Sequence, residues 1–354
     1  MNNNIQILDT TLRDGSYVNN FSFTELDVIE LCVELEKIGI EYIEIGHGIG
    51  LGASEKGMGM ASQTDEEYMK AAKSVLTSSK YGMFCIPGIA TLRHIDLAKS
   101  YEMDFIRIGT DVADVESSKS FIENAKNAGM FVMANYMKSY VSTPKEFAKK
   151  VKLSESYGAD VVYIVDSAGG MFSEDIEKYF DAIREVSDIK IGFHGHNNLG
   201  QAISNSLKAV ELGIEFVDSS LQGMGRSAGN ASTELLIASL LKKGYSLNLD
   251  LLKAIEVGYE YVHHLLNAKG NMPLDTISGY ADFHSSYMHF IKKYSSKYSV
   301  NPLELIIELC KADKVNVDEC ILDNIAKNIQ SEKNYLGKYK FNWYVGGEQS
   351  GTKS

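Results

Sequence analysis

The chain has 354 residues, of which 44% are hydrophobic and 23% charged, and its formal net charge is −12. That composition excludes a disordered or fibrous chain and supports a large buried core, while the negative balance, with no local basic patch, argues against nucleic acid and anionic membrane surfaces as partners. Cys32, Cys85, Cys310 and Cys320 show no CxxC spacing, the start "MNNNIQ" lacks the apolar stretch of a signal peptide, and no apolar run approaches the roughly 20 residues of a membrane span, so a reduced, cytoplasmic protein is expected.

The first strand is predicted at 5–9 ("IQILD"). It is followed by "TTLRDGSYVNN" (10–20), which sets an arginine, an aspartate and a glycine side by side before any helix begins. A helix is predicted over 24–39, with Leu26, Ile29, Val33 and Leu35 near a 3.6-residue period and Gly39 as its stop. After a strand at 42–46, the glycine-rich stretch "GHGIGLGASEKGMGM" (46–60) is too irregular for a P-loop and lacks GK[ST], so a mobile loop is expected there. Strands at 81–86, 105–110, 131–137, 161–166, 190–196 and 216–221 then alternate with helices at 64–76, 91–101, 117–128, 143–157, 173–186, 200–212 and 230–243. Eight strand–helix pairs ending near residue 245 predict an α/β fold of the (β/α)8 TIM-barrel type rather than an open doubly wound sheet. Beyond residue 250 the strand signals vanish and helices are predicted at 251–267, 278–298, 302–311 and 318–330. The expected organisation is a barrel over 1–247, a small helical C-terminal domain over 248–334 and an aromatic tail over 335–354 that packs or docks.

In such a barrel the C-terminal ends of the strands share one face, so polar residues just past each strand converge. Arg13, Asp14 and Tyr17 follow strand one, Glu44 and His47 strand two, Asp166 and Ser167 strand six, and Asn230 strand eight. Along "FHGHNN" side chains alternate, which turns His194 and His196 to the same side. Two imidazoles and the Asp14 carboxylate make a metal site with positions left for water or substrate oxygens; the bland alternative is one histidine capping a loop and the other packed in the core. Mixed imidazole and carboxylate donors suit Mn²⁺ or Mg²⁺, with zinc and iron(II) as alternatives. Arg13 beside that site would stabilise the oxyanion of an enolate formed from a chelated 2-oxo acid, unless it merely pairs with Glu44 or Asp166 across the barrel. "GMGRSA" (223–228) fits GxGxxA but lies at the end of strand eight, so a tight turn or an anion pocket is expected there rather than a dinucleotide site.

The stretches "DTTLRDG", "EIGHGIGLGAS", "IPGIAT", "VDSAGG", "GFHGHNNLG" and "GMGRSAGNA" occur in the order and spacing of the metal-dependent lyases with an HMG-CoA-lyase-like barrel. Within that group the chain most resembles the 4-hydroxy-2-oxovalerate aldolases, and the similarity extends into the helical region through "SGYADFHSSY". The resemblance implies cleavage of a 4-hydroxy-2-keto acid to pyruvate and an aldehyde, or the reverse addition, with the keto acid and the aldehyde as small-molecule partners; a homo-oligomeric assembly is expected. It also implies Asp14, His194 and His196 as ligands of Mn²⁺ or Mg²⁺, Arg13 as the group that stabilises the pyruvate enolate, and Ser167 as a substrate contact.

Two positions depart from the family pattern. Where these aldolases carry a histidine base three residues after the metal aspartate, this chain has Tyr17, and where they carry a substrate-site tyrosine in the helical region, it has His284. The two read as an exchange around one substrate hydroxyl with His284 as base, since an imidazole accepts a proton at neutral pH far more readily than a phenol; alternatively neither takes part and the substrate has changed. The resemblance further implies an acylating aldehyde dehydrogenase partner, but the family's Gly-Gly-Gln-Glu-Asp is replaced by "VNVDE" (315–319), which weighs against that partner. Two competing readings are a Claisen-type condensing enzyme like the isopropylmalate and homocitrate synthases, and a catalytically silent partner-binding subunit. The condensing enzymes usually carry aspartate where this chain has Asn198, and a silent subunit has no need of intact Arg13, Asp14, His194 and His196.

Overall fold

The computed structural model describes residues 5–266, 273–330, 339 and 341. Eight parallel strands close into a barrel in chain order: β1 Gln6–Asp9, β2 Tyr42–Ile45, β3 Lys80–Cys85, β4 Phe105–Asp111, β5 Phe131–Met137, β6 Val161–Asp166, β7 Lys190–Gly195 and β8 Phe216–Ser219, with β1 pairing β8. The crossover helices are α1 Glu25–Ile38, α2 Asp65–Val75, α3 Leu92–Ser100, α4 Lys119–Asn127, α5 Pro144–Tyr157, α6 Ser173–Arg184, α7 Ala202–Leu212 and α8 Thr233–Lys242. Local chemistry sets several boundaries. Thr24 with Asp27, Thr64 with Glu67 and Thr143 with Glu146 form reciprocal capping boxes at the starts of α1, α2 and α5. Gly39 and Gly158 end α1 and α5 in the left-handed conformation that an L side chain resists.

Inside the barrel, side chains two residues apart along each strand stack in layers. The lower layer is apolar and contains Leu8, Tyr42, Phe105, Met133, Val161, Tyr163 and Phe216. Gly192 makes room within it: a Cβ there would lie 2.4 Å from the Tyr163 ring. One step higher the same alternation turns Glu44, Arg107, His194 and Asp218 inward, and all four are buried. The barrel is therefore sealed by hydrocarbon below and carries its charge toward the end where the site lies.

After the barrel come α9 Leu251–Val257, α10 Pro273–Ala281, α11 Met288–Tyr298, α12 Pro302–Ala312 and α13 Glu319–Asn328. Ala254, Val257 and Val262 belong to the apolar layer around the barrel, and among the described residues the second core begins at Leu274. The apolar layer of the barrel thus extends past residue 248. The helix expected over 278–298 is divided, because Asp282 takes a left-handed φ of 57° and His284 is extended. Tyr339 and Phe341 pack against the second core, and the rest of the aromatic tail lies outside the described residues. Among the described residues no helix is long and apolar enough to cross a membrane.

Candidate active site and metal centre

Asp14 opens a short 3-10 turn, Asp14–Tyr17, directly above β1, where the backbone N–H groups of Arg13, Asp14 and Gly15 all donate to the Thr10 carbonyl. His194 lies on β7 and His196 just beyond it. Ligand atoms of Asp14, His194 and His196 lie within 4.8 Å of one another, and all three residues are buried. His194 Nδ1 donates to Asp218 Oδ2 (2.8 Å) and His196 Nδ1 to the Gly229 carbonyl (3.3 Å), so each ring keeps its Nε2 lone pair for the shared space. Burial pushes His196 down to about 3, which keeps it neutral as a ligand must be. For Asp14 burial acts upward, but Arg13, the two imidazoles and Arg226 outweigh it and hold the carboxyl well below the usual range. A further donor stands beside them: Asn230 gives Nδ2 to Asp14 Oδ2 (2.8 Å), while its buried Oδ1 has no hydrogen-bond partner among the described residues. Carboxylate, two imidazoles and an unsatisfied amide oxygen are a donor set that fits a divalent cation.

A chain of charges joins the two sides of this centre. Arg13 donates Nη1 to Asp14 Oδ1 (2.7 Å) and Nε to Glu44 Oε2 (2.8 Å). Glu44 Oε2 also accepts from Arg107 Nη1 (2.9 Å), and Arg107 Nη2 reaches Asp218 Oδ2, the oxygen that holds His194. Arg13 thus lines the pocket and, of the two pairings considered for it, makes the one with Glu44 and not one with Asp166. Arg107 and Asp218 were not singled out from the sequence. Their signal was an ionisable residue at an inward position of an otherwise apolar strand, in "FIRIGT" and "FVDSSL".

A pocket opens above the centre. Asp14, Arg13, His194, His196, Tyr17 and Ser167 all line it, together with an apolar wall that includes Ile49, Phe84, Ile86 and Met137. Ser167 Oγ accepts from the Lys138 backbone N–H (2.9 Å). The other expected mouth residues have local duties. Asp166 receives the N–H groups of Gly170 and Met171 (both 3.0 Å) and, chiefly through burial, is raised to about 7. His47 accepts from Ile49 N–H through Nδ1, meets the Gly59 carbonyl through Nε2 and stacks on Phe21. Within the stretch expected as a mobile loop, residues 46–53 are all buried, and residues 54–60 are half-buried or exposed.

His284 is buried at the junction of barrel and helices. Its Nε2 accepts from Arg226 Nη2 (3.0 Å), and its Nδ1 lies 2.7 Å from Ser286 Oγ and 3.3 Å from the Ser286 backbone N. Arg226, from "GMGRSA", lines the pocket, and its guanidinium lies 5.6 Å from the centre of the Tyr17 ring. Tyr17 and His284 thus meet the same arginine, which the sequence reading passed over. That loop is a tight turn, as expected: Gly223, Ser227 and Gly229 have positive φ, and the Arg226 backbone N–H donates to Asp14 Oδ2 (3.2 Å).

The HMGL-like family model matches residues 4–259. A 4-hydroxy-2-oxovalerate aldolase of Carboxydothermus hydrogenoformans is 36% identical over 323 residues, 91% of this chain and 96% of that one. An oxaloacetate decarboxylase of Mycobacterium tuberculosis is 41% identical over 245 residues, 69% of this chain and 72% of that one. Among solved structures, the carboxyl transferase domain of Rhizobium etli pyruvate carboxylase matches with a TM-score of 0.74 at 15% identity, covering 92% of this chain and 60% of that one, a likeness of fold alone.

Proposed function

The chain belongs to the HMGL-like family, and from that premise we propose that it is a divalent-metal-dependent aldolase that cleaves or forms a 4-hydroxy-2-keto acid, with pyruvate and an aldehyde on the other side of the reaction. The observation that carries this reading is the convergence of Asp14, His194 and His196 in one pocket with Arg13. Those three residues would hold Mn²⁺ or Mg²⁺. When bound, such a cation supplies electrophilic polarisation of a 2-oxo acid.

The remaining work falls to the protein's own groups. Breaking the bond between C3 and C4 leaves an enolate, and Arg13, fixed on one side by Glu44 and on the other by Asp14, presents its guanidinium to the developing oxyanion without reorganising. Ser167 already accepts the Lys138 N–H, so its hydroxyl proton is left to donate to a substrate carboxylate. The C4 hydroxyl must lose a proton as the bond breaks. Tyr17 lines the pocket and His284 stands behind Arg226, but an imidazole accepts a proton at neutral pH far more readily than a phenol, so His284 serves as base once substrate draws Arg226 off its Nε2. On this account His284→Ala lowers kcat by about 10²-fold or more, as loss of a general base does; undiminished turnover would assign the proton to Tyr17, which Tyr17→Phe tests.

One observation favours a second reading. Decarboxylation of a 2-oxo diacid gives the same enolate and needs no base for a hydroxyl, which suits a pocket whose imidazole is engaged by Arg226, and the decarboxylase relative points the same way. Metal-stripped protein should be given a panel of 4-hydroxy-2-keto acids and, separately, oxaloacetate, with and without Mn²⁺ or Mg²⁺. Metal-dependent pyruvate from the hydroxy acids supports the aldolase; pyruvate from oxaloacetate alone selects the decarboxylase; pyruvate from neither overturns both. The proposal does not require a dehydrogenase partner: the carbonyl of Val315, in the segment that departs from the family pattern, accepts from Lys138 Nζ (2.6 Å) and the Tyr287 hydroxyl (2.9 Å) and so packs onto the barrel. A homo-oligomer remains part of the proposal, to be read from the mass in solution.

A further inference from the structure

Pyruvate is a small monoanion, and the groups already described suffice for it: the cation site, Arg13 and Ser167 address one carboxylate and one keto oxygen. A second arginine, Arg226, nevertheless lines the same pocket, with its guanidinium near Tyr17, another lining residue. The two arginines bracket Asp14, since Arg13 Nη1 binds Oδ1 (2.7 Å) while the Arg226 backbone N–H binds Oδ2 (3.2 Å). They also enter from different sides. Arg13 lies over Phe84 of β3, 4.8 Å from the ring centre, whereas Arg226 stands with Tyr17 and with His284 from the helical region.

The position of Arg226 is built rather than incidental. Ser227, the next residue, has a φ of 57°, a left-handed conformation unusual for a residue with a side chain. Its hydroxyl is held by Asn198 Nδ2 (2.8 Å) and donates to Asp275 Oδ1 (3.0 Å), and the Gly229 N–H binds the Arg226 carbonyl (3.0 Å). His284 then fixes the far end of the side chain. Burial together with the nearby charges of Arg226 and Lys138 keeps that imidazole neutral, so it orients the guanidinium without contributing an opposing charge. An arginine whose backbone is fixed by the turn, and whose guanidinium leaves a neutral imidazole when substrate draws it off, is suited to bidentate recognition of a planar anion.

We propose that Arg226 is a specificity-determining residue that binds an anionic group on the part of the substrate beyond the cleaved bond, so that the pocket takes 2-oxo acids bearing a second carboxylate. This rests on the proposed pyruvate-enolate chemistry and holds whether an oxo acid or carbon dioxide is the second product. A neutral distal end, such as a methyl group, would leave the guanidinium without its ligand and bind more weakly.

The test uses unreactive probes, so that it does not depend on turnover. Calorimetric titration of the Mn²⁺-loaded protein compares 2-oxoglutarate with 2-oxopentanoate, which have the same chain length and differ in the terminal carboxylate. The wild type should prefer the diacid by about tenfold or more, the scale of one charged hydrogen-bonded contact. Arg226→Gln should bring the ratio close to one and Arg226→Lys should retain part of it, whereas a residue that only ties the helices to the barrel would shift the melting temperature and leave the ratio alone. A wild type without preference, a preference that survives in Arg226→Gln, or binding of neither acid would overturn the inference. Should the preference be present while no 4-hydroxy-2-keto acid or oxaloacetate yields pyruvate, the proposed reaction falls and the anion site stands.

Discussion

Asp218 illustrates how much a single residue behind the site can decide. It accepts from His194 Nδ1 and from Arg107, and the Arg107 charge overcomes the effect of burial to keep it ionised. Asp218→Asn preserves its shape but replaces the carboxylate that fixes the imidazole tautomer, and the expected result is a loss of about 10- to 100-fold in Mn²⁺ affinity. Titration of the free ion by electron paramagnetic resonance measures it, and unchanged affinity would mean that His194 is oriented by other contacts. At this scale the sequence disclosed residues whose partners could be counted along the chain. His194 and His196 are two apart on a strand, and Asp14 follows the first strand closely, so alternation and barrel topology bring them together. Arg107, Asp218 and Arg226 escaped because their importance lies in which way they face and whom they meet far along the chain, 111 residues apart for Arg107 and Asp218 and 58 for Arg226 and His284. The link between Tyr17 and His284 was suggested by their exchanged identities, but the arginine between them has no counterpart in local spacing.

Elements were more legible than contacts. Each strand begins and ends within two residues of its expected place, because β-branched runs bounded by glycine, asparagine or capping threonine leave little latitude. The division at residues 282–284 was missed, since "YADFH" carries neither proline nor glycine and the break depends on Asp282 adopting a left-handed turn. How the helices attach to the barrel was equally invisible. Lys138, fully buried just past β5, takes the left-handed conformation, pairs with Asp111 Oδ2 (2.5 Å) and donates to the Val315 carbonyl of the helical region. Lys138→Met leaves Asp111 without this cation and the Val315 carbonyl without this donor, and should cost about 3–5 kcal/mol, the range for breaking a buried pair on one side. Urea denaturation should then show the transition moved to lower denaturant; an unmoved transition would mean that apolar packing alone holds the helical region in place.

For the whole molecule, the balance of buried carboxyls sets a pH profile. Burial raises Asp9 to about 6 and Asp166 to about 7. A carboxyl that holds its proton more tightly in the folded chain contributes stability that is complete below its unfolded value of about 3.9 and is lost as the pH rises through its folded value. Glu36 acts in the opposite sense: burial has a raising effect, but the N–H groups of Ser79, Ser78 and Thr77 prevail and bring it to about 2, so its contribution is present above about 4.3 and lost as the pH falls toward 2. Buried neutral histidines act against the two carboxyls, since burial lowers His47 to about 4 and His196 to about 3, and their contribution grows as the pH rises toward about 6.5. The Asp166 contribution is therefore read by difference: the melting temperature of the metal-free wild type relative to that of Asp166→Asn should fall from pH 5 to pH 8, and a difference that grows with pH would contradict the assignment. The sequence supported the closed barrel and the helical appendage, since eight strand–helix units admit few other arrangements. Where one core ends and the next begins could not be read from it, because α9 looks like the helices after it yet packs with the barrel.

The central claim is that this pocket forms a pyruvate enolate with the help of Arg13 and a cation at Asp14, His194 and His196. Its most direct measurement is the exchange of the C3 protons of pyruvate in deuterated water, followed by nuclear magnetic resonance, which requires the enolate and no aldehyde. Exchange should be rapid with the Mn²⁺-loaded protein, absent from the metal-stripped protein, and slower by about 10²- to 10³-fold in Arg13→Gln. Pyruvate that binds to the loaded wild type and yet keeps its C3 protons would contradict the account.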